Sequence, residues 1–208
     1  MFPDKYEPDG RKRRSAKTRS LIIKAATVVF LENGYKDTTF KEISSKAGVG
    51  YGTIYLYFKN KEELLAEIVN DIMDQIRSKI YIKYAPGQVK DVKEIVYSQV
   101  YGILTLVEEN KAPLQILWNA LAHSEKLRNH WNNIFDQFVQ RVIEDFSYSR
   151  EQGLARSLNE RIVAKAIVYM VKEFFWDVIL EKETDIMDLS FTLTEIYTEG
   201  AYKNTVIE

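Results

Sequence analysis

The stretch AGVGYGTIYLYFKNKEEL, residues 47–64, decides how the first part of this chain folds. Gly48 stands where a short helix has to stop, because glycine takes the left-handed conformation that ends a helix without a steric penalty. Ile54 and Phe58 lie one helical turn apart and predict a third helix over about 51–58 that buries both side chains. Two short helices joined by a glycine turn form a helix-turn-helix.

The residues before this turn predict the two helices that precede it. Thr39 and Glu42 form a T-x-x-E capping box, which starts a second helix over about 39–47. Further upstream, apolar side chains recur every three or four residues and Gly34 supplies a stop, so we expect a first helix over about 15–33.

The side chains opposite the buried pair of the third helix are left for the major groove of DNA, where a recognition helix contacts base edges. Tyrosine hydroxyls donate to phosphate oxygens, threonine contacts bases, and glycine lets two backbones approach each other. Lys61 and the amides near Thr39 would hold phosphates on either side of this helix. The alternative is that Tyr51, Tyr55 and Tyr57 are ordinary core and boundary residues.

The distribution of charge separates the first part of the chain from the rest. Residues 1–61 carry 13 Lys and Arg against 6 Asp and Glu, whereas the remainder carries 16 against 24. A basic segment on an acidic body indicates that the segment meets a polyanion. Residues 1–14 lack periodicity and end in RKRR, so we expect a flexible basic arm. The alternative is a solvated tail without a partner.

Residues 18–65 resemble the N-terminal domain of the TetR family of bacterial transcriptional regulators. The matching features are an alanine-rich first helix, the pattern F..NGY..TT...I...AGV and the run GTIYLYFKNKEEL. The resemblance implies a homodimer that binds a palindromic operator, usually as a repressor released by a small ligand. Gly50-Tyr51 departs from the pattern, because many relatives have serine followed by lysine or arginine there. The DNA contacts that the resemblance implies are Thr39, Tyr51, Gly52, Thr53, Tyr55, Tyr57 and Lys61.

Helical periodicity continues through the rest of the chain and no strand alternation stands out, so we predict an all-α protein. We expect the arm over 1–14, a DNA-binding domain over 15–61, and a larger helical ligand-binding and dimerisation domain over 62–208. The helices of this larger part are expected at about 60–84, 88–109, 112–122, 124–152, 159–182 and 187–203.

The last two helices make most of the dimer interface in the TetR family, so the resemblance implies a homodimer through residues 159–203. Both helices carry apolar stripes at helical spacing, with Ile162 and Tyr169 on the first and Leu189 and Leu193 on the second. Such stripes can pair with a symmetry mate as a four-helix bundle. The alternative is that they complete the core of the protomer itself.

The middle helices are rich in large apolar side chains, which suit either a ligand cavity or plain core. The length of the helix over 124–152 and the aliphatic excess favour an extended apolar ligand such as a fatty acid or an acyl thioester, including acyl-CoA. The candidate polar groups are Tyr101, Asn119, His123, Arg128 and His130. The candidate ligand-binding residues are Tyr97, Tyr101, Leu104, Trp118, Leu121, His123, Trp131, Phe135, Phe138, Phe174 and Phe175.

Several other kinds of site lack the residues that they need. The chain has no cysteine, which excludes disulfides and thiolate metal sites. Its two histidines, His123 and His130, are separated by about 10.5 Å along one helix, too far to share a metal ion. No nucleophile elbow or phosphate-cradling glycine loop is present, so we expect neither an enzyme nor a cofactor. No apolar run reaches membrane-spanning length and no secretory signal is expected, so we expect a cytoplasmic protein.

The sequence therefore predicts a one-component transcriptional regulator. A ligand would act by favouring one spacing of the two recognition helices, with the fourth helix, which joins both domains, as the lever. The alternative is a DNA-binding protein of the same fold that organises the chromosome or controls division without a ligand. That alternative predicts no cavity.

Overall fold

The residues that the computed structural model describes, 10–182 and 185–203, contain nine α-helices and no β-strand. A single antiparallel bridge joins Ala155 to Tyr202. The all-α prediction is confirmed. The helices are α1 (Gly10–Asp37), α2 (Phe40–Ala47), α3 (Tyr51–Ile54), α4 (Lys61–Ile80), α5 (Val89–Glu109), α6 (Lys111–Leu121), α7 (Glu125–Glu151), α8 (Glu160–Ile179) and α9 (Ile186–Ala201).

Polar side chains at the first positions determine where several helices begin. The side-chain oxygens of Thr39, Asn60, Ser124 and Asn159 each accept a hydrogen bond from the backbone amide three residues further on. These bonds satisfy amides that have no partner within the helix. The helices that they start therefore begin within a residue or two of the predicted positions.

Several helix ends differ from the prediction, and α1 runs on to Asp37 past the predicted stop Gly34, which is non-helical with φ 79°. Helix α1 already includes residues 10–14, which were expected in a flexible arm, because arginine and lysine are good helix formers. Residues 1–9 of that arm lie outside the described residues. Helix α3 ends at Ile54, four residues before the predicted end at 58. The next residue, Tyr55, has φ −67° and ψ −13°, close to the tighter 3₁₀ geometry. Helix α4 ends at Ile80, well before residue 84, and a short non-helical segment leads to α5.

The three N-terminal helices enclose a small core that continues into the rest of the protein. Phe30, Ile43, Ile54 and Phe58 are buried, and they belong to one continuous cluster of buried residues that extends to Tyr202. An ion pair of 2.6 Å between Arg19 of α1 and Glu67 of α4 reinforces the connection. Helix α4 is therefore packed into both parts of the molecule.

The larger part of the protein is built from paired helices. Helix α7 packs along α8, α5 packs along α9, and α6 lies against α1. The α9 stripe of Leu189 and Leu193 is buried inside the protomer, so its assignment to the dimer interface was wrong and the core alternative holds for it. A different set of side chains on α8 and α9 is exposed, and we call it the α8/α9 apolar face: Ile162, Tyr169, Met187, Phe191 and Ile196.

Candidate nucleic-acid interface and ligand cavity

The turn between α2 and α3 is fixed by hydrogen bonds at both ends of α2. The Thr39 amide donates to Glu42 Oε2 at 2.8 Å, and the Glu42 amide donates to Thr39 Oγ1 at 3.3 Å, which completes the predicted capping box. These bonds hold the pKa of Glu42 below its usual range. At the other end, Gly48 has φ 65° and its amide donates to the Ser45 carbonyl at 3.2 Å. Glycine allows this left-handed turn at no steric cost, and α3 follows directly.

The exposure of the α3 segment agrees with the orientation predicted from the sequence. Ile54 and Phe58 are buried, whereas Tyr51 and Tyr55 are about half exposed and Leu56 is 82% exposed. Gly52 is also on the surface, and no atom lies within 4 Å of the position where a Cβ would be. The segment thus offers aromatic and small side chains, with open space above its first turn, to an approaching partner.

Tyr51 and Tyr55 form one unit on this surface. Their hydroxyls are 2.9 Å apart, their ring centroids are 5.4 Å apart, and Tyr55 also packs edge-on against Phe40 of α2. The hydrogen bond with Tyr51 raises the pKa of Tyr55. Because the bond between them uses only one of the two protons, the pair keeps a hydroxyl donor for a phosphate oxygen.

Three other predicted DNA contacts occupy less open positions. Thr53 and Tyr57 are partly buried, and Tyr57 packs against the core. Thr39 is exposed, but its amide and hydroxyl both donate to Glu42, each at 2.8 Å. The helix amides that follow, those of Phe40 and Lys41, precede the helical hydrogen bonding and are therefore better placed than Thr39 itself to bind a phosphate.

Lys61 has a second role that the sequence did not reveal. Its ammonium group donates to the carbonyl oxygens of Tyr35 and Lys36, both at 2.8 Å, and lies 5.0 Å from the centroid of the Tyr35 ring. The start of α4 is thereby tied to the end of α1. Since an ammonium group has three donors, one remains for a phosphate.

We expect Lys61→Ala to weaken binding to every duplex by a similar factor and to lower the slope of log affinity against log salt by about one. The reason is the loss of one phosphate contact. Fluorescence anisotropy across a salt series measures both quantities. Lys83→Ala, which removes an exposed charge beyond the other end of α4, is the matched control. Thermal unfolding separates the loss of the two carbonyl bonds from the loss of the phosphate contact, and a change confined to one DNA sequence would contradict the assignment.

A mainly apolar cavity lies in the larger part of the protein between α4, α5, α7 and α8. Its volume is about 90 Å³, and Met73, Ile76 and Ile80 of α4 form one wall. On α7 its lining extends from Phe135 to Asp145, ten residues that correspond to about 15 Å of helix. The cavity is therefore narrow and elongated.

Only three of the eleven predicted ligand-binding residues line this cavity: Phe135, Phe138 and Phe175. The other eight lie elsewhere, because the prediction followed composition and could not tell which face of each helix turns inward. Trp131 packs in an aromatic cluster with Phe135, Phe175 and Trp176, and Tyr97 and Tyr101 stack on each other outside the cavity. The remaining residues that do not line the cavity are Leu104, Trp118, Leu121, His123 and Phe174.

The five polar candidates also lie outside the cavity. His130 Nε2 is 3.1 Å from Asn70 Oδ1, and Arg128 donates to the Leu121 carbonyl at 2.6 Å. Asn119 and His123 line a shallow cleft against residues 34–37, at the contact between α6 and α1. Tyr101 is on the surface of α5. The sequence analysis missed the polar groups that do line the cavity, which are Tyr84, Gln99, Asp145, Lys172, Tyr197 and Tyr202. Two of them, Asp145 and Lys172, are charged residues next to apolar runs and could have been noticed for that reason.

The inner end of the cavity is a buried cluster of hydroxyl groups beside a carboxyl group. The Tyr84 hydroxyl is 2.7 Å from Ser149 Oγ and 3.3 Å from the Tyr202 hydroxyl. Burial raises the pKa of Asp145 to about 7, although Arg141, whose Nη2 is 2.8 Å from Asp145 Oδ1, opposes the shift. This end of the cavity thus combines a carboxyl group that is paired with a guanidinium group and several hydroxyl groups.

Lys172 lies at the opposite end of the cavity. Its ammonium group is 4.6 Å from the centroid of the Phe135 ring and 5.1 Å from that of Tyr169. Burial lowers the pKa of Lys172, and the nearby Asp136 and Glu173 oppose the shift. The rings accept the cation over their faces.

Within residues 10–182 and 185–203, no group of three or more His, Asp or Glu side chains is placed to hold a metal ion. The same part of the chain contains no helix with the length and apolar composition needed to cross a membrane. Two features thus stand out for a function: the surface of α2 and α3, and the cavity.

The first comparison with known proteins concerns the helix-turn-helix. Residues 22–68 match the family model of bacterial regulatory proteins of the tetR family. This span contains α2, α3, the turn between them and all seven predicted DNA-contact residues. The resemblance stated from the sequence is therefore confirmed.

Two proteins of Bacillus subtilis strain 168 are similar to the chain. The uncharacterized HTH-type transcriptional regulator YhgD is 45% identical over 98 residues, which cover 47% of this chain and 50% of that protein. The fatty acid metabolism regulator protein is 29% identical over 186 residues, which cover 87% of this chain and 94% of that protein. The match thus spans about half the length of the first relative and nearly all of the second.

A solved structure shares the arrangement of helices. It is the transcriptional regulator FadR from Bacillus subtilis in complex with stearoyl-CoA, with a TM-score of 0.68 and 25% identity. The superposition covers 87% of this chain and 98% of that chain. The combination of an N-terminal helix-turn-helix with a larger helical part is thus common to both.

Proposed function

Because the chain belongs to the TetR family of bacterial transcriptional regulators, we propose that it is a cytoplasmic repressor that binds a palindromic operator as a homodimer. A small and largely apolar ligand, such as a fatty acid or an acyl-CoA, releases it from DNA. The observation that carries this proposal is that one helix, α4, contributes both to the helix-turn-helix unit and to the wall of the cavity. No catalytic role is proposed.

Two features of α4 support its role as the lever. At its start, Lys61 binds the end of α1 and Glu67 pairs with Arg19. Further along, Met73, Ile76 and Ile80 form one wall of the cavity. A displacement of that wall would therefore move the start of α4 and the DNA-binding helices together.

The size of the cavity supports coupling between ligand binding and movement. Pockets for small molecules usually hold about 300–1,000 Å³, whereas this cavity holds about 90 Å³. An extended ligand therefore has to push the walls apart. It would bind more tightly to a state in which α4 has moved, and only such a difference in affinity shifts a conformational equilibrium.

The similarity to proteins of lipid metabolism supports the ligand class. One relative is named as a fatty acid metabolism regulator, and the solved structure of another regulator contains stearoyl-CoA. An apolar lining with a charged group at one end is compatible with an acyl chain. The ligand of this chain is proposed on these grounds together.

The test is selection of DNA from a random oligonucleotide pool with the purified protein, followed by titration of the selected site with fatty acids and acyl-CoA thioesters. The proposal expects a palindrome that is bound by a dimer and released by an acyl compound. A palindrome that none of these compounds releases would favour a regulator without a ligand switch. If no sequence is enriched, the assignment of α2 and α3 to DNA is wrong.

We expect Thr53→Ala to change base preference at one position of each half-site by about tenfold, while it leaves binding to non-specific DNA nearly unchanged. Thr53 is on the first turn of α3, where side chains of a recognition helix meet base edges. The same selection experiment, repeated with the variant, measures the preference. Thr27→Ala on α1 is the control, because its hydroxyl bonds only to the Ile23 carbonyl within its own helix. A uniform loss across sequences would place Thr53 on a phosphate instead.

A further inference from the structure

The two ends of the elongated cavity differ in charge. Lys172 lines one end, and Asp145 with the hydroxyls of Tyr84 and Tyr202 lines the other, about 15 Å away along α7. The walls between them are formed by side chains such as Val100, Ile103 and Phe138. A ligand that fills the cavity thus has one end near a cation and the other near a carboxyl group.

Lys172 lacks the usual partner of a partly buried lysine. Within residues 10–182 and 185–203, no carboxylate oxygen lies within 4 Å of its ammonium group, whereas Lys93, a comparable lysine of the same protein, lies within 2.7 Å of Glu195. Asp136 and Glu173 are near enough to influence Lys172, but both are exposed and make no ion pair with it. The ammonium group is therefore available to an anion that arrives with a ligand.

The inner end of the cavity is unsuited to an anion. Asp145 is held there beside Arg141, and its side chain is only 13% exposed. An incoming carboxylate would lose its hydration there and would have to compete with Asp145 for its guanidinium partner, and each of these effects is unfavourable in a buried site. Apolar chain atoms can enter this end, because they only have to contact the rings and methyl groups of the lining.

We propose that Lys172 binds the carboxylate head of an amphiphilic ligand whose apolar chain extends along α7 toward Tyr84 and Tyr202. This inference rests on the proposed function in one respect, namely that the cavity holds the ligand. It adds the orientation of the ligand and the residue that selects a free acid over a neutral compound with the same chain. Lys172 acts by charge and hydrogen bonding, while the rings of Phe135 and Tyr169 keep its ammonium group in place.

The test is a direct binding titration, without DNA, of three probes with one chain length: dodecanoate, dodecan-1-ol and dodecanoyl-CoA. Calorimetry of the full chain measures the affinities for the unmodified protein and for Lys172→Met, Lys172→Arg and Lys165→Met. Lys165 is an exposed lysine two turns earlier on α8 and serves as the matched control. Binding of the alcohol shows in each variant that the cavity is intact.

We expect Lys172→Met to weaken the binding of dodecanoate by about 10- to 100-fold, the range for a charge-assisted hydrogen bond. The affinity for dodecan-1-ol should stay nearly unchanged. Lys172→Arg should restore most of the affinity, and Lys165→Met should change nothing. Because the thioester lacks a carboxylate at this position, dodecanoyl-CoA should lose less than dodecanoate does.

Two results overturn the inference in distinguishable ways. If acid and alcohol both bind the unmodified protein and Lys172→Met weakens them equally, the cavity binds chains but Lys172 does not recognise the head. If Lys172→Met weakens binding of dodecanoyl-CoA more than binding of dodecanoate, Lys172 contacts phosphate groups of the thioester and does not recognise a carboxylate. If none of the three probes binds the unmodified protein, the ligand part of the proposed function fails, and the inference fails with it.

Discussion

Phe191→Glu is expected to convert the proposed dimer to a monomer and to reduce its affinity for a full palindromic operator by at least about 100-fold. Phe191 is 56% exposed on α9 and belongs to the α8/α9 apolar face, which also includes Ile162 and Met187. Exposed large apolar side chains on two helices suit a contact with another chain, and a two-fold dimer through them would place them against the same side chains of the second copy. The variant would thus bring two glutamates together inside an apolar contact, which is strongly unfavourable.

The loss of DNA affinity follows from the loss of the dimer. Two linked half-site contacts bind about 10²–10⁴-fold more tightly than one alone, because the second contact is made at high effective concentration. Light scattering on a size-exclusion column measures the mass, and anisotropy with full and half operators measures binding. Ile82→Glu, which also places a charge at a partly exposed isoleucine but outside this face, is the control and should stay dimeric. A Phe191→Glu protein that remains dimeric would move the interface elsewhere.

Val100→Phe is expected to lower the sensitivity to an acyl ligand by about 100-fold while the variant still binds the operator. Val100 is buried on α5 and lines the cavity. A phenyl ring there fills much of a space of about 90 Å³ that an acyl chain needs. Overpacking costs about 1–3 kcal/mol, which the fold can tolerate.

Two measurements on the same samples check this prediction. Titration of ligand into the protein–operator complex gives the concentration for half release, and thermal unfolding confirms that the variant is folded. Val100→Ala is the control at the same position, because it enlarges the cavity and should keep or increase the response. If Val100→Phe responds to the ligand like the unmodified protein, the ligand binds at another site.

Features that depend on near neighbours along the chain could be predicted from the sequence. The Thr39 capping box, the stop at Gly48 and the cap at Asn60 each need only three or four consecutive residues to form. The inward orientation of Ile54 and Phe58 followed from their spacing, and the structure confirms it. The helix-turn-helix and its likeness to a known family were thus accessible without coordinates.

Features that depend on which helix faces meet could not be predicted in the same way. Leu193 has the spacing of an interface residue, yet it is buried inside the protomer, where α9 packs on α5. Trp131 and Phe135 are both aromatic residues of α7, but only Phe135 reaches the cavity. Periodicity identifies an apolar face without saying what covers it, so the cavity residues required the three-dimensional arrangement.

The two carbonyl bonds of Lys61 have a consequence for how the protein chooses among its operators. Since they fasten the start of α4 to the end of α1, we expect a displacement of α4 to carry the helix-turn-helix unit with it and to leave the arrangement of side chains on α3 unchanged. In the proposed switch, the ligand would alter the distance and angle between the two DNA-binding units of a dimer without changing either unit. Operators with different base sequences but the same spacing should all lose affinity by the same factor when the ligand binds.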